Sequence, residues 1–535
     1  MASLRRNCAR FLCAAAVLAS VSLLAAQVAV TTYHNDNNRT GWNNKETVLT
    51  PASVAGASFG LLQNVALNDQ VDGQPLVVPG VNITSGSNQG KHDVVYVATE
   101  GNTLYAIDAE SGTILLKNHL GKPVRFPIGC TNNGPNVGIN STPVIDLTSN
   151  TIYVIAYTQD TTGPAYRIHA LDLGSLADKV TAQVIAASHM LNDGTTFVFN
   201  ATYQRQRPGL LLANGNVYAG FGSFCDLGAN LSRGWLLGWS TGSLTPLPAN
   251  QLFDGQANDP DSFFLSSIWM SGYGPAADDS GNIVFVTGNS DYSGTTYDGV
   301  SNLQESVVKV SPDLTTVLDL FTPSNQASLD QSDADFGSGG ALVLPDQKGT
   351  IPHMAVAAGK DGNMYFMNED HLGGYSTSTN NVLGTYPVGA CWCGQSYYMG
   401  FDGAARIVSS GGNNVITWKL STTPTPTLTK MSTSPYVAGG QFPGFFTSVS
   451  SNKTSNVIIW ALGHPVSSSQ PTIYLYAFNP VTGKDMTQLF TGAAGSWPNT
   501  GGNSNLVPVV ANGEVFVASH NQLQIFGLKA ASKKK

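Results

Sequence analysis

Short apolar runs broken by polar turns recur along the whole chain. Val, Ile, Tyr and Phe cluster in these runs, and Gly, Asn, Asp and Pro separate them. The stretch VYVATEGNTLYAIDAESGTILLK, Val95 to Lys117, predicts two short strands, a turn and a further strand. Few stretches have the apolar spacing of an amphipathic helix. The pattern therefore predicts an all-β chain.

The pattern repeats with a period of roughly 50 to 65 residues, which suits four strands with insertions. Each unit begins with a polar or Gly-rich stretch followed by a small apolar strand. The openings are GQPLVVPGV from Gly73, INSTPVIDL from Ile139, QRPGLLLAN from Gln206, MSGYGPAAD from Met270, GSGGALVLP from Gly337, MGFDGAARIV from Met399, GQFPGFFTSVS from Gly440 and SNLVPVVAN from Ser504. These units predict an eight-bladed β-propeller of four-stranded antiparallel blades.

The last unit lacks an outermost strand, because the chain ends in NQLQIFGLK. The segment FGLLQNVAL from Phe59 can pair into that blade, which closes the ring with an N-terminal strand and removes an exposed edge. We therefore divide the chain into a signal peptide (1–26), an N-terminal extension (27–58), the propeller (59–529) and a disordered basic tail (530–535).

The first residues have the layout of a secretory signal. Arg5, Arg6 and Arg10 precede an apolar run from Phe11 to Ala26 that ends in small residues. We expect export, to the periplasm or outside the cell. An uncleaved membrane anchor is the alternative, because the run continues to Val30.

Four cysteines follow this segment, an even number that suits disulfides in an oxidising compartment. We expect Cys130 to pair with Cys225. Cys391 and Cys393 form either a disulfide or part of a metal site. The disulfide is preferred because no His cluster lies beside them to complete a metal site.

Charge and motifs exclude several classes of function. Only 11% of residues are charged and the net charge is -8, so no basic face for nucleic acid is expected. The sequence has no Cys-x-x-Cys-His, and therefore no motif for covalent haem. It also lacks a Walker loop, a zinc-protease helix motif and a Gly-x-Ser-x-Gly elbow.

The blade ends resemble a known repeat. Ala106, Asp108, Ser111 and Gly112 match the Ala-x-Asp-x-x-Thr-Gly-x-x-x-Trp of the pyrroloquinoline quinone (PQQ) enzyme-type repeats, with Leu116 in the Trp position. In such a turn the acid bonds the backbone and Gly takes the required conformation.

Two further segments support the resemblance. A second copy of the repeat consists of Ala477, Asn479, Thr482 and Gly483. The segment YHNDNNRTGWNN, Tyr33 to Asn44, resembles the first segment of quinoprotein alcohol dehydrogenases. The resemblance spans nearly the whole mature chain in a degenerate form.

The resemblance implies a site for PQQ and calcium near the propeller axis. Asn289 in VTGNSDY matches a calcium-ligating amide, and Asp226 in FGSFCDLG lies near the family's glutamate ligand. Asp335 in SDADFGSGGALVL matches the aspartate that takes the proton of the alcohol. Lys360 in AAGKDGNMYFMNEDHLGG matches the cation beside the quinone oxygens.

Each of these residues also has an ordinary structural role as an alternative. Asp226 and Asn289 suit turns at strand ends, and Lys360 suits a solvated hairpin. A small shift in the alignment would exchange Asp335 for Asp333 or Asp330.

Two features depart from the resemblance. Trp269 lies about two residues from the position of the aromatic ring beneath the quinone, and core packing is its simpler role. The family's adjacent Cys pair is absent, because Cys130 stands alone in the corresponding stretch.

Two functions fit the sequence best, and an outer-membrane assembly factor of related repeat type ranks last because it would need fewer insertions and usually a lipid anchor. The first is an exported PQQ- and calcium-dependent dehydrogenase of alcohols or other hydroxyl compounds, which passes electrons to an external acceptor. The second is a non-catalytic propeller that binds a protein, glycan or cell-surface partner through loops such as Ser85–Lys91 and Ser421–Ser434. A membrane is a partner only if the N-terminal segment stays uncleaved.

Overall fold

The computed structural model describes residues 27–529 except 133, 438, 481, 482 and 500. The predicted signal peptide, the predicted basic tail and Thr482 of the second repeat copy lie outside the described residues. Within the described ranges, no helix combines the length and the apolar composition needed to cross a bilayer.

The strands form eight blades, which confirms the predicted propeller. In chain order of the first strand, the blades are Leu76–Ile83, Gly90–Ala98, Thr103–Asp108 and Ile114–His119 (blade 1); Val144–Asp146, Thr151–Asp160, Gly163–Asp172 and Asp178–Val184 (blade 2); Gln204–Arg205 and Leu211–Ala213, Asn216–Ser223, Trp235–Ser240 and Gln251–Leu252 (blade 3); Ala276–Ala277, Ile283–Val286, Val307–Val310 and Val317–Thr322 (blade 4); Ala341–Val343, Met354–Ala358, Asn363–Asn368 and Gly384–Pro387 (blade 5); Ser396–Met399, Ala405–Ser409, Ile416–Ser421 and Thr427–Thr433 (blade 6); Thr447–Asn452, Ser455–Gly463, Thr472–Asn479 and Thr487–Ser496 (blade 7); and Val509–Ala511, Glu514–Ser519, Gln522–Leu528 and Phe59–Ala66 (blade 8).

Short strands, hairpins and helices lie outside the four-stranded blades. Trp42–Asn43 adds a parallel strand to blade 7, and Gly374–Tyr375 adds one to blade 4. The remaining elements are the hairpins Val124–Arg125 with Asn136–Val137 and Ser188–Met190 with Thr196–Val198, the α-helices Pro51–Val54 and Gln326–Ser332, and the 3₁₀ turns Pro127–Gly129, Met270–Gly272 and Phe336–Ser338.

The first strand of each blade faces the axis. First strands of consecutive blades contact one another in blades 2 to 5 and again in blades 6 to 8. The apolar faces of neighbouring blades pack together into buried clusters. Because the blades are antiparallel, the end of a second strand and the start of a first strand lie on the same side of the ring.

The predicted ring closure is confirmed. Phe59–Ala66 pairs antiparallel with Gln522–Leu528 and completes blade 8. The predicted turn chemistry also holds in blade 1, where Asp108 Oδ1 accepts hydrogen bonds from the backbone N of Ser111 at 2.8 Å and from its hydroxyl at 2.7 Å. Gly112 follows at φ +70°, a conformation that suits glycine.

The predicted opening of blade 6 was wrong. Its first strand is Ser396–Met399, and the apolar part of MGFDGAARIV is the second strand, Ala405–Ser409. The Gly-rich turn between these strands resembles the polar stretch that precedes an opening, so the pattern was assigned one strand too late.

Residues 28–46, here called the axial segment, join all eight blades. Their backbone and side chains bond to residues in or just before the first strand of each blade. The contacts, from blade 1 to blade 8, are Val30 with Val77, Thr31 O with Ile145 N, Arg39 with Leu210 O, Arg39 with Pro275 O, Asn38 O with Val343 N, Thr40 O with Tyr397 N, Gly41 O with Val449 N, and Asn43 Nδ2 with Val510 O. The axial segment therefore fills the centre of the ring.

Both predicted disulfides are present. Cys130 pairs with Cys225 at a Cα–Cα distance of 5.6 Å, and Cys391 pairs with Cys393 at 4.9 Å. The first joins the loop before blade 2 to the end of the second strand of blade 3. The second encloses Trp392 just before blade 6.

Candidate functional site

A cavity of about 410 Å³ opens at one end of the axis. Its walls come from two equivalent places in the blades. Asp226 and Lys360 follow the second strands of blades 3 and 5, while Trp269, Asp335 and Trp392 precede first strands. Because these places share one side of the ring, residues far apart in the sequence meet in one cavity, here called the axial cavity.

Lys360 and Asp335 form an ion pair in the wall of this cavity. Lys360 Nζ lies 2.7 Å from Asp335 Oδ2 and 3.3 Å from Asp333 Oδ1. Burial alone lowers the pKa of Lys360, but the negative charges of Asp335 and Asp333 outweigh it and raise the pKa above its usual value. The lysine is therefore a fixed cation.

Asn289 ties blade 4 to the same pair. It follows the strand Ile283–Val286, its backbone N donates to Asp335 Oδ1 at 3.0 Å, and its Nδ2 donates to Asp333 Oδ1 at 3.3 Å. The Asp335 side chain is only 4% exposed. Its carboxylate is held from two sides, by Lys360 and by Asn289.

Asp226 adds another buried carboxyl. It adopts φ 55°, and its Oδ1 accepts a hydrogen bond from the Ser223 hydroxyl at 2.6 Å. Burial, together with the charges of Asp335 and Asp333, raises the pKa of Asp226 to about 6, while Lys360 opposes this shift. A cation placed here would relieve the excess of negative charge.

Aromatic rings flank the lysine. Lys360 Nζ lies 5.7 Å from the ring centroid of Trp269 and 5.3 Å from that of Trp392. Trp392 stacks on Phe442, with centroids 4.8 Å apart and an interplanar angle of 15°. The cavity therefore offers flat apolar surfaces beside its charged groups. Cys225 of the Cys130–Cys225 disulfide also lines the cavity.

The structure thus brings together the five residues predicted from the resemblance. Asp226, Trp269, Asp335 and Lys360 line the axial cavity, and Asn289 bonds to Asp335. Their roles stay predictions, because position alone does not establish a role.

Sequence reasoning missed four other residues at the site. Arg205 and Arg207, from the start of blade 3, line the cavity, as does Trp392. Glu305 is fully buried behind Asp335, where its Oε2 accepts a hydrogen bond from Phe336 N at 2.5 Å. Burial and the charges of Asp335 and Asp330 raise the pKa of Glu305 well above its usual value. The sequence feature that could have pointed to the arginines and to Trp392 is their position shortly before an apolar first strand, Leu211–Ala213 for the arginines and Ser396–Met399 for Trp392.

The oxygen donors of these residues suit a hard cation. Carboxylate and amide oxygens of Asp226, Asn289 and Asp335 are the donors that calcium prefers. In the described part of the chain, three carboxylates converge within 4.8 Å of one another only at Asp259, Asp261 and Asp291. A cation among the axial donors would therefore need further oxygens from a ligand.

The eight-bladed propeller is similar in fold to solved quinoprotein dehydrogenases. No protein-family model matches the sequence, and no curated protein matches it either. Among solved structures, the quinohemoprotein alcohol dehydrogenase of Comamonas testosteroni superimposes with a TM-score of 0.60 at 12% identity, over 96% of this chain and 82% of that chain. The quinohemoprotein alcohol dehydrogenase ADHIIG of Pseudomonas putida HK5 gives 0.60 at 12% identity, over 95% and 81%. A europium-containing methanol dehydrogenase gives 0.58 at 11% identity, over 94% and 98%.

Proposed function

We propose that the protein is an exported oxidoreductase that binds PQQ together with a hard cation in the axial cavity and oxidises hydroxyl compounds. The observation that carries this proposal is the convergence of Asp226, Asp335 and Lys360 beside Trp269 in one cavity, with Asn289 bonded to Asp335. The similarity to quinohemoprotein alcohol dehydrogenases supports the same class of chemistry. The two disulfides support export.

Asp335 is the proposed general base. Its buried carboxylate lies where Lys360 and the backbone N of Asn289 fix its orientation, so a substrate hydroxyl can donate its proton to a preorganised acceptor. When bound, PQQ supplies the two-electron acceptor. Lys360 provides positive charge at the wall of the cavity, and Trp269 and Trp392 exclude water beside it. Regeneration of the oxidised cofactor would need an external electron acceptor.

Calorimetric titration with PQQ, with and without calcium, tests the proposal. We expect PQQ binding to depend on calcium. The protein alone offers too few convergent oxygens to hold the cation, so PQQ and calcium should each favour binding of the other. Lys360→Met and Asn289→Ala should each weaken binding by about tenfold or more. Lys348→Met, which changes an exposed lysine outside the cavity, is the matched control.

Terbium luminescence provides a second readout that needs no activity. Terbium resembles calcium in its preference for oxygen ligands, and tryptophan excitation can sensitise its emission. The europium in one structural neighbour is a further reason to include a trivalent ion. Emission that requires PQQ and falls in Asp226→Asn would support the site. The absence of PQQ binding at every cation concentration would refute the proposed function.

The alternative is a propeller that binds a protein, glycan or cell-surface partner through its loops. The exposed ring of Phe442 at the cavity and the exposed Tyr436 nearby in the sequence favour it, because large exposed rings are frequent in binding surfaces. In that case PQQ should not bind, and Phe442→Ser should abolish partner binding while Lys360→Met leaves it unchanged.

A further inference from the structure

We propose that a second cavity, on the side of the ring opposite the axial cavity, binds a small aromatic carboxylate. This cavity, here called the basal cavity, has a volume of about 420 Å³ and lies between blades 6 and 7. The inference goes beyond the proposed function, because none of the residues that line the basal cavity lines the axial cavity.

The basal cavity is formed by turns at one end of the blades. Phe401 lies in the turn between the first and second strands of blade 6, and Thr454 lies in the equivalent turn of blade 7. Lys484 follows the third strand of blade 7. In an antiparallel blade these turns lie away from the ends of the second strands, where the axial cavity opens. A ligand in the basal cavity therefore does not compete with a ligand on the axis.

The walls of the basal cavity are largely apolar. Met431, Val457 and Pro480 line it together with the ring of Phe401. Val457 is buried, whereas Phe401 is 74% exposed and Met431 is 42% exposed. Large apolar side chains exposed beside a concave apolar surface are typical of a ligand site, because a flat ligand covers them and removes them from water.

Tyr398 supplies an unused polar group inside this apolar surface. The residue is only 4% exposed, and its hydroxyl has no hydrogen-bond partner in the part of the chain that the structure describes. Unlike the fully enclosed Tyr33 hydroxyl, it keeps accessible surface at the cavity. Burial raises the pKa of Tyr398 above its usual value, so the phenol stays protonated and can donate a hydrogen bond to a ligand.

Positive charge exceeds negative charge around the basal cavity. Arg406 Nη2 lies 2.9 Å and Lys419 Nζ lies 2.8 Å from Asp402 Oδ2. Burial alone raises the pKa of Asp402, but hydrogen bonds from these two cations outweigh it and lower the pKa. Lys484 also lines the cavity, and within the described ranges it forms no ion pair. Three cations thus accompany one carboxylate, although the whole chain has a net charge of -8.

These features together select the class of ligand. The apolar walls favour a flat ring over a small polar ion, and the excess of positive charge favours an anion over a cation. A carboxylate attached to the ring accepts the hydrogen bond of the Tyr398 hydroxyl and is attracted by Lys484. The basal cavity is therefore complementary to an aromatic carboxylate.

Calorimetric titration of the full mature protein with 2-naphthoate tests the inference. Naphthalene-2-carboxamide is the matched ligand, because it keeps the shape of the acid and lacks its charge. We expect 2-naphthoate to bind about tenfold more tightly than the amide at low ionic strength. The preference should shrink as salt is added, because Lys484 is exposed and its charge is screened.

Three variants assign the binding to the basal cavity. Phe401→Ser should weaken both ligands by about tenfold, and Tyr398→Phe should weaken 2-naphthoate by roughly threefold. Lys484→Met should remove most of the preference for the acid and leave the amide unchanged. Phe126→Ser and Lys348→Met, which change an exposed ring and an exposed lysine outside the cavity, are the controls.

The results separate this inference from the proposed function. No binding of 2-naphthoate at ~1 mM, or binding that Phe401→Ser and Tyr398→Phe leave unchanged, would overturn the basal site. Displacement of 2-naphthoate by PQQ would also overturn it, because the acid would then occupy the axial cavity. Unchanged 2-naphthoate affinity in the presence of PQQ supports it. Phe401 and Lys484 are exposed, so their variants keep the test valid if Tyr398→Phe proves to be unfolded in a thermal melt.

Discussion

Replacing Arg39 with methionine should destabilise the whole ring. Arg39 is fully buried in the axial segment. Its Nε donates to Pro275 O at 2.8 Å, and one terminal nitrogen donates to Thr32 Oγ1 at 2.7 Å and to Tyr33 O at 2.8 Å. The other terminal nitrogen reaches Leu210 O at 3.3 Å. One side chain therefore links the axial segment to blades 3 and 4.

The expected loss follows from these bonds. Each of the three shorter bonds involves a charged donor and contributes roughly 1.5 kcal/mol, so together they contribute about 4 to 5 kcal/mol. Methionine fills a similar volume but leaves the buried carbonyl groups without a donor. Burial lowers the pKa of Arg39 to about 10, so the charge is present at neutral pH and is lost in the variant.

Guanidinium denaturation, followed by tryptophan fluorescence and near-UV circular dichroism, measures the free energy of unfolding. Arg406→Met is the matched control. That arginine is also largely buried, but it bonds within blade 6, to Asp402 at 2.9 Å and to the carbonyl groups of Ala404 and Ala405. We expect a loss of about 1 to 2 kcal/mol for the control and an intermediate loss for Arg39→Lys.

A loss of less than about 1 kcal/mol in Arg39→Met, or one no larger than in Arg406→Met, would contradict this reasoning. It would mean that packing between neighbouring blades holds the ring together and that the axial segment only fills space.

Three further predictions concern other parts of the molecule. Burial raises the pKa of Glu369 from 4.5 to about 7. The protonated form therefore stabilises the fold at low pH, and this contribution to the free energy of unfolding is lost as the pH rises towards 7. Glu369→Gln should remove up to roughly 3 kcal/mol of the fall in unfolding free energy between pH 5 and pH 8. Replacing Cys391 and Cys393 with serine should lower the unfolding free energy by about 1 to 2 kcal/mol, because the loop that the disulfide closes is short. The same change should weaken PQQ binding measurably, because it releases Trp392. Unchanged affinity in calorimetry would show that the disulfide does not position this ring. Gly112→Ala should lower the unfolding free energy by about 1 to 2 kcal/mol, because alanine is strained at φ +70° and its Cβ would lie 3.0 Å from Val65 Cγ2. Gly242→Ala is the control: the space around Gly242 is open, so this variant should unfold at the wild-type temperature in a thermal melt of both variants.

The sequence predicted the parts of the fold that repeat locally. The turn at Asp108 and Gly112 could be predicted because its hydrogen bonds join residues close in sequence. Asn289 and Lys360 could be placed by resemblance, because each lies in a motif just after a strand whose apolar pattern is clear. Ring closure by Phe59–Ala66 followed from the missing strand of the last blade.

Contacts between distant, irregular segments could not be predicted in the same way. The axial segment has no periodic pattern. Its bonds to five blades use backbone groups that every residue type carries, and its bonds to blades 3, 4 and 8 use the side chains of Arg39 and Asn43. Arg207 lies in the stretch QRQRPG, where nothing in the sequence distinguishes an arginine that lines a cavity from one on the surface. Only the meeting of blade 3 with its neighbours reveals that its Nε is buried without a partner.

The arrangement of the axial segment and blade 8 has a consequence for the timing of folding. The segment at the centre of the ring is synthesised first, but its partners emerge one blade at a time. Blade 8 combines Phe59–Ala66 with strands from Val509 to Leu528, so its sheet forms only after almost the entire chain is present. Until then Phe59–Ala66 has an unpaired edge, and the first and seventh blades lack a common neighbour. A chain that stops before Val509 should therefore accumulate as an open, aggregation-prone arc.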